Sequence, residues 1–271
     1  MHEERSDDVE LRELEAMTRA AEMVAHLRHA AEEEPGVLGF AVTGSRARGF
    51  ASAGSDWDCV LFVREEWLSE YELRFAVLPP GVDLRVMTLD GFREHAAWGS
   101  STAWDRYNWK HARIEVDRTG GELVRLAREK GRVPGAEVEK HVALSLDWYL
   151  NQLYRSLKCR RDGDAAGQRL EAAESVRPLL LALFAAHGGR LVPYYRYLAW
   201  ELEHEPLHKL TLGPGELIRL LLHVQATADS AAQGTLLRAV EPFFRAEGYG
   251  AVFDAWKVDE WWGTLLPRPV G

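Results

Sequence analysis

Cysteine is rare in this sequence, and long apolar runs are missing from it. The 271 residues include two cysteines, Cys59 and Cys159, which lie far apart. A disulfide framework is therefore not expected, and a reducing compartment is. No apolar stretch approaches the roughly 20 residues that span a bilayer. The acidic first residues lack the basic and apolar regions of a secretory signal. We therefore expect a cytoplasmic protein with no membrane partner.

Positive charge is also in deficit. The chain has 33 Lys and Arg against 42 Asp and Glu, for a net charge of -9 at pH 7. Because a nucleic-acid partner usually requires a basic face, this balance argues against one. It is compatible with a cationic small molecule, although moderate negative charge also simply keeps a protein soluble. The sequence has no G-x-x-x-x-G-K-[ST] phosphate loop and no G-x-S-x-G elbow, which disfavours P-loop enzymes and α/β-hydrolases.

The first half of the chain mixes helix and strand patterns. Apolar residues spaced by three and four predict a helix over residues 8–33. Short apolar runs predict four strands, with helical patterns near 91–97 and 122–130. The predicted strands cover residues 37–42, 56–63, 82–87 and 113–116. These elements predict a small mixed-sheet domain over residues 1–133.

The second half shows helical patterns only. A stripe of apolar residues at helical spacing predicts one long helix over 137–161. A second helix follows, with Leu170, Val176, Leu180 and Leu183 as its apolar residues and Pro178 as a point where it can kink or restart. Further helices are predicted over 194–203, 215–229 and 232–246. The predicted fold class is therefore α+β, with a small mixed-sheet domain followed by an all-α helical bundle domain over residues 134–271.

One segment combines residues that carry chemistry. Residues 43–59 read TGSRARGFASAGSDWDC and lead into an apolar run. Asp56 and Asp58 are two residues apart, and side chains two apart on a strand point to the same face. Such carboxylates repel each other unless a cation lies between them, and Mg²⁺ binds carboxylates together with substrate phosphates. The pair predicts a Mg²⁺–phosphate site, and the alternative is that it only caps the start of a strand.

The Gly-Ser pair at the start of this segment is suited to bind an anion. Gly44 and Ser45 follow a predicted strand and precede a segment that can form a short helix. The N–H groups at a helix start attract anions, Gly44 allows close backbone approach, and the Ser45 hydroxyl can donate to a phosphate. Arg46 or Arg48 can add positive charge. The alternatives are an N-cap role for Ser45 and solvated surface positions for the two arginines.

These residues together resemble a known family. A Gly-Ser pair, a short gap and Asp-Trp-Asp before apolar residues are similar to the signature of the DNA polymerase β-like nucleotidyltransferases, over roughly residues 35–130. The family's third acidic residue lies on a later strand, and Asp83 in GVDLRVM matches it. Arg85 would share the face of Asp83, so a simple ion pair between them is the alternative. The helical half resembles the second domain of the kanamycin and streptomycin adenylyltransferases, over the segment 171–202.

The resemblance implies an activity and roles for the matched residues. A nucleoside monophosphate, AMP first of all, would pass from ATP or another NTP to a hydroxyl group, with release of pyrophosphate. Asp56, Asp58 and Asp83 would hold two Mg²⁺ ions, and Asp83 would either share the second metal or take the proton of the attacking hydroxyl. The triphosphate would be bound by Gly44, Ser45, Arg46 and Arg48.

The acceptor is expected to be a small cationic molecule such as an aminoglycoside, as in antibiotic resistance. Carboxylates of the helical domain would bind it, and Glu171 and Glu174 are the candidates, although either can simply be an exposed helix charge. Two other functions stay open: a protein- or RNA-directed nucleotidyltransferase of a toxin–antitoxin type, and a non-catalytic nucleotide-binding sensor. Both a monomer and a homodimer are compatible with the sequence.

Overall fold

The fold is described by a computed structural model of the chain. It describes residues 2–52 and 54–266, with side chains over 14–52, 54–261 and 264–266. The chain divides into two compact units, one ending at Arg132 and the other beginning at Val133. In the described residues, no helix has both the length and the apolar character needed to cross a membrane.

The first unit contains a sheet and several helices. Its strands are β1 (Val37–Val42), β2 (Trp57–Val63), β3 (Val82–Thr88) and β4 (Arg113–Asp117). Its helices are α1 (His2–Glu33), α2 (Gly44–Ala47), α3 (Leu68–Arg74), α4 (Leu89–Glu94), α5 (Arg106–Lys110) and α6 (Glu122–Lys130). All four predicted strands are present, and β2 begins one residue later than predicted, so Asp56 precedes it. The predicted α+β fold class is confirmed.

The sheet is mixed. Across the described residues, its strand order is β3-β2-β1-β4. β1 pairs antiparallel with both β2 and β4, whereas β2 and β3 run parallel. The parallel pair aligns Asp58 with Asp83 and Val60 with Arg85. Register partners on neighbouring strands point to the same face, so these four side chains share one face of the sheet.

Both faces of the sheet are covered by helices. One face buries Phe40 and Leu61 against α1 and α3, and the other buries Val60 and Phe62 against α4, α5 and α6. The two central strands are buried almost without interruption, which explains why they consist of continuous apolar runs rather than alternating ones. Because Asp58 alternates with Cys59 along β2, it shares the face of Val60, towards α4–α6.

The second unit is helical throughout its described part. Its helices are α7 (Val138–Arg161), α8 (Ala165–Ala186), α9 (Leu198–His204), α10 (Pro214–Thr227), α11 (Ser230–Ala246), α12 (Gly250–Ala255) and α13 (Val258–Thr264). The stripe predicted for the long helix packs in the core: Val142, Leu146, Tyr149, Leu153 and Leu157 are each at most 1% exposed. The predicted helical bundle is therefore present.

Helix α8 differs from its sequence pattern in two respects. It continues through Pro178 without restarting. Leu170, which belongs to its apolar pattern, is 73% exposed, whereas Leu183 is fully buried. The buried stretch of α8 is therefore its C-terminal part, where small and apolar residues follow one another.

Candidate functional site

Two aspartates face each other at one end of the sheet. Asp58 is the second residue of β2, and Asp83 is the second residue of β3. They are direct register partners across the parallel pair. The sequence predicted that both would belong to one site, and the register explains the proximity, since equivalent residues of parallel neighbours project side by side.

Gly44 packs against one of these carboxylates. It opens α2, directly after the end of β1, and has a φ of +64°. A Cβ at this residue would lie 1.7 Å from Asp58 Oδ2 and 2.6 Å from its Cγ. Only glycine leaves room for the carboxylate here, and it also adopts this backbone conformation without strain. The Thr43 N–H donates to the Asp58 carbonyl over 2.8 Å, which holds the turn beside the strand.

A cavity of about 180 Å³ lies over the two aspartates. Residues from β1–β3 and from the segment around α5 line it. They are Thr43, Asp58, Cys59, Val60, Asp83, Arg85, Trp104, Asp105, Asn108 and Trp109. The lining is mainly polar and carries charges of both signs, as a site for a charged ligand requires.

The charge of Asp58 is disfavoured in this environment. Burial raises the pKa of Asp58, and the nearby carboxylates of Asp83 and Asp56 raise it further. Arg48 acts in the opposite direction but does not outweigh them. A bound cation would remove the repulsion between the carboxylates, so the pair suits a cation better than it suits an empty site.

Asp105 is a further carboxylate of the site that was not predicted from the sequence. It is 3% exposed and lines the same cavity. Arg85 Nη1 donates to its Oδ2 over 3.1 Å, and Asn108 Nδ2 donates to its Oδ1 over 2.5 Å. His95 Nε2 lies 2.6 Å from Oδ2. Burial by itself would raise the pKa of Asp105, but the hydrogen bonds from His95, Asn108 and Arg85 outweigh it and hold the pKa below its usual value.

Asp105 is the ion-pair partner of Arg85. The sequence left open an ion pair between Arg85 and Asp83, but the structure pairs Arg85 with Asp105 instead. The i, i+3 spacing of Asp105 and Asn108 is a weak signal that both lie on one helical face. Nothing in that spacing indicates that the face meets β3, so the contact could not be predicted from the sequence.

Asp56 lies apart from the other two predicted aspartates. It is exposed, precedes β2 and lines a separate depression of about 420 Å³. That depression also includes Met17, Arg46 and Gly81. The Asp56 carboxylate is nevertheless close enough to raise the pKa of Asp58. It therefore lies at the edge of the site rather than inside the cavity.

The predicted phosphate-binding residues lie around the turn after β1. Ser45 is 7% exposed, and its hydroxyl forms no hydrogen bond within the described residues. The N-cap position of α2 is Thr43, so the N-cap alternative for Ser45 is wrong. Arg46 is engaged elsewhere: Nη2 donates to the Ser55 carbonyl over 2.6 Å, and the guanidinium stacks 4.5 Å from the Trp57 ring centre.

Arg48 is not a solvated surface arginine. It is 8% exposed, and its Nη2 donates to Asn108 Oδ1 over 3.0 Å. Its guanidinium lies 4.8 Å from the centre of the Tyr107 ring. Through Asn108, Arg48 is connected to Asp105, so the turn after β1 and the segment around α5 form one polar network beside the two aspartates.

The donor set allows a test of the expected magnesium site. No group of three or more His, Cys, Asp or Glu in the described part of the chain is arranged to hold a metal ion. Asp58 and Asp83 form a pair, and Mg²⁺ usually takes one or two carboxylates, with water and substrate phosphates completing its shell. The hard oxygen donors and their mutual repulsion fit Mg²⁺.

The two glutamates predicted to bind an acceptor lie on α8 and differ in their surroundings. Glu171 Oε1 forms an ion pair with Arg155 Nη2 of α7 over 2.6 Å and is 17% exposed. When the Gln152 amide is oriented so that both its N and its O form hydrogen bonds, Nε2 donates to Glu171 Oε2 over 2.6 Å. Glu174 is exposed and forms no hydrogen bond or ion pair with the described residues. Of the two, Glu174 is the carboxylate available to a ligand.

A cavity of about 260 Å³ is present within the helical unit. Residues of α8, α9 and α10 and the segment before α9 line it. They are Val176, Tyr195, Leu198, Ala199, Ile218, Leu221, Leu222 and Gln225. None of these described residues is acidic, so the cavity does not suit a polycationic molecule.

The chain has a distant similarity to a protein of known structure. No family model matches the sequence, and no curated protein matches it. Among solved structures, the chain is similar to a nucleotidyltransferase-like protein from Exiguobacterium sibiricum. That similarity has a TM-score of 0.36 and 14% identity, and it covers 94% of this chain and 89% of the other. The residues of the site, rather than this similarity, support the function proposed below.

Proposed function

We propose that this protein is a nucleotidyltransferase that moves a nucleoside monophosphate from an NTP to a hydroxyl of a small cationic acceptor. The acceptor oxygen attacks the α-phosphorus and forms a new P–O bond. The bond from that phosphorus to the bridging oxygen breaks, and pyrophosphate leaves. The proton of the hydroxyl passes to a carboxylate of the site. ATP is the first NTP to test.

One observation carries the proposal: Asp58 and Asp83 face each other across two parallel strands, while a bare glycine packs against Asp58. The register pairs the two carboxylates, and the Gly44 backbone lies where a side chain would displace Asp58. The Ser45 hydroxyl forms no hydrogen bond with the described residues, and this supports a phosphate site beside the two carboxylates. The arrangement agrees with the order of residues that suggested the family.

Each predicted residue around the cavity has its own role in the proposed reaction. Asp58 and Asp83 would hold Mg²⁺, with Asp56 as the next carboxylate at the edge of the site. Bound Mg²⁺ would neutralise charge on the phosphate oxygens. Gly44 lets the chain approach the triphosphate, and Ser45 donates to it. Asp83, the more exposed of the facing pair, would either share a metal ion or accept the proton of the acceptor hydroxyl.

The arginines of the phosphate-binding segment have different roles. Arg48 lies close enough to lower the pKa of Asp58, so we assign it to charge balance at the site. Arg46 is held by the Ser55 carbonyl and the Trp57 ring. We assign it first to fixing the loop that carries Asp56, and its contact with phosphate stays a prediction.

The acceptor is proposed to be an aminoglycoside or a similar polycation. Glu174 has no hydrogen-bond or ion-pair partner among the described residues, and Glu171 would have to exchange its partner Arg155 for the acceptor. The net charge of -9 favours a cationic ligand over an anionic one.

Release of pyrophosphate tests the proposed function. The full-length protein is incubated with Mg²⁺, each of the four NTPs and a panel of aminoglycosides, and pyrophosphate is measured. We expect release that depends on the acceptor and is lost in Asp58→Asn and Asp83→Asn. Asp90→Asn is the matched control, because Asp90 lies on α4 with a 78% exposed side chain and outside the cavity.

The same experiment separates the alternatives. Pyrophosphate release that needs a protein or RNA instead of a small acceptor would point to a macromolecular target of the same chemistry. NTP binding with no release under any acceptor would indicate a sensor and contradict the enzyme. Equal release in Asp58→Asn and in the wild type would assign the activity to a different site.

A further inference from the structure

Arg85 is a cation in the wall of the cavity that the proposed function leaves without a role. It follows Asp83 by two residues on β3 and lies in register with Val60. It therefore projects from the same face as the facing aspartates, and it lines their cavity. Its side chain is 44% exposed, so its guanidinium is accessible to a ligand.

The hydrogen bonds between this guanidinium and the described residues involve one of its nitrogens, Nη1. Nη1 donates to Asp105 Oδ2 and lies 2.8 Å from His95 Nε2. Nε and Nη2 form no hydrogen bond with the described residues. A guanidinium carries five N–H donors in a planar fork that matches the oxygens of a phosphate. The edge of Arg85 that is not anchored can therefore bind an anion with two donors.

Asp105 holds the guanidinium in place. Its carboxylate is almost completely buried, and Asn108 and His95 fix it from other directions. A long, flexible side chain loses rotamer freedom when it binds a ligand, and an anchor that restricts it beforehand lowers that cost. An anchored Arg85 is thus oriented before any ligand enters.

We propose that Arg85 binds the phosphate groups of the nucleotide and that Asp105 is its positioning residue. This inference rests on the proposed function, because it assigns a cation to the triphosphate of the same site. Asp58 and Asp83 add negative charge to the cavity, and a triphosphate brings more. Among the described residues that line the cavity, Arg85 is the one Lys or Arg, so its charge can offset part of this negative charge.

Direct binding tests this without any acceptor. Calorimetry measures Kd for Mg²⁺–ATP, the other three Mg²⁺–NTPs and Mg²⁺–pyrophosphate with the wild type, Arg85→Gln and Arg85→Lys. We expect Arg85→Gln to raise Kd about tenfold for nucleotide and pyrophosphate alike, since charge-assisted contacts are the stronger ones. Arg85→Lys should lose less, because lysine keeps the charge without the fork.

Arg93→Gln is the matched control. Arg93 is 47% exposed and paired with Asp90 and Glu122, but it lies outside the cavity. We expect its Kd to equal that of the wild type. If Arg85→Gln does not fold, Arg85→Lys is the test of the two-donor contact between the guanidinium and phosphate. A Kd for Arg85→Lys equal to that of the wild type would overturn this contact.

A double-mutant cycle tests the positioning role of Asp105. Asp105→Asn should weaken nucleotide binding severalfold in the wild type and have no further effect in Arg85→Gln, since contacting residues do not act additively. A purely structural Asp105 would lower the melting temperature in both backgrounds and leave Kd unchanged, which overturns that role. If Arg85→Gln binds nucleotide with the Kd of the wild type, the role of Arg85 is overturned and the proposed function is not. A wild type that binds no NTP overturns the proposed function, and the inference with it.

Discussion

The carboxylate of Asp58 occupies the space that a side chain at Gly44 would need. A Cβ there would lie 1.7 Å from Asp58 Oδ2, well inside any allowed contact. Gly44 follows the end of β1, and Asp58 lies near the start of β2. The Thr43 N–H donates to the Asp58 carbonyl and holds the turn beside β2. The glycine of the Gly-Ser pair is therefore required by the position of the Asp58 carboxylate.

Gly44→Ala should abolish or strongly reduce nucleotidyl transfer. The added methyl group must displace the Asp58 carboxylate, and the φ of +64° adds strain of about 1–2 kcal/mol. Gly49→Ala is the control, because Gly49 has a φ of +72° but nothing within 4 Å of an added Cβ. In urea unfolding, Gly44→Ala should lose more stability than Gly49→Ala, because Gly44 combines a positive φ with a clash at the added Cβ and Gly49 does not. Activity that survives in Gly44→Ala would show that Asp58 does not need its present position.

Asp58→Asn should change how stability depends on pH. Burial and the carboxylates of Asp83 and Asp56 raise the pKa of Asp58 above its usual 3.8. The native state therefore holds this proton more tightly than the unfolded chain, and Asp58 lowers stability as pH rises from about 3.8 to its raised pKa. One such group contributes at most about 1.4 kcal/mol per pH unit.

The prediction is that Asp58→Asn is more stable than the wild type at pH 7 in metal-free buffer. The difference should shrink as pH falls through that window. Urea unfolding in EDTA from pH 4 to pH 8 measures it, with Asp90→Asn as the exposed control. Parallel stability curves for Asp58→Asn and the wild type would contradict a raised pKa.

Glu174→Gln should weaken acceptor binding more than Glu171→Gln does. Within the described part of the chain, Glu174 on α8 is exposed and has no partner, whereas Glu171 is already paired with Arg155. We expect acceptor KM to rise severalfold in Glu174→Gln, and Glu171→Gln to act mainly through a small loss of stability. Glu216→Gln on α10 is the control for a general loss of negative charge. If acceptor KM and kcat change in neither α8 variant, both glutamates are surface charges.

Leu183→Ala should destabilise the helical unit far more than Leu170→Ala. Both leucines belong to the apolar pattern of α8, but Leu183 is fully buried and Leu170 is 73% exposed. Removing a buried leucine side chain costs about 2–5 kcal/mol, through lost burial and the cavity left behind. Leu170→Ala should change the free energy of unfolding by less than about 0.5 kcal/mol. Similar losses in the two variants would contradict the burial of α8.

Several parts of this molecule could be predicted from local patterns. The strands around Phe40 and Leu61 are short apolar runs between turn residues, and their central position makes them apolar on both faces. The long helix α7 follows from a stripe that every turn of the helix repeats. Helix α3 was missed, because its seven residues give too few repeats for a helical period to stand out.

The site itself was predicted in part. Asp58 and Asp83 were chosen from their places in two strand patterns, and their pairing follows from the parallel register. Asp56 was placed with them because residues two apart on a strand share a face. A shared face requires both residues to lie in the strand, whereas β2 begins at Trp57, after Asp56.

The tertiary structure alone decided which charges meet. Arg85 pairs with Asp105 and not with Asp83, because the segment between α4 and α5 lies against β3 and buries Asp105 beside Arg85. Spacing and periodicity report contacts between near neighbours along the chain. An ion pair between distant segments depends on the path of everything between them, so the anchor of Arg85 became visible only in the folded molecule.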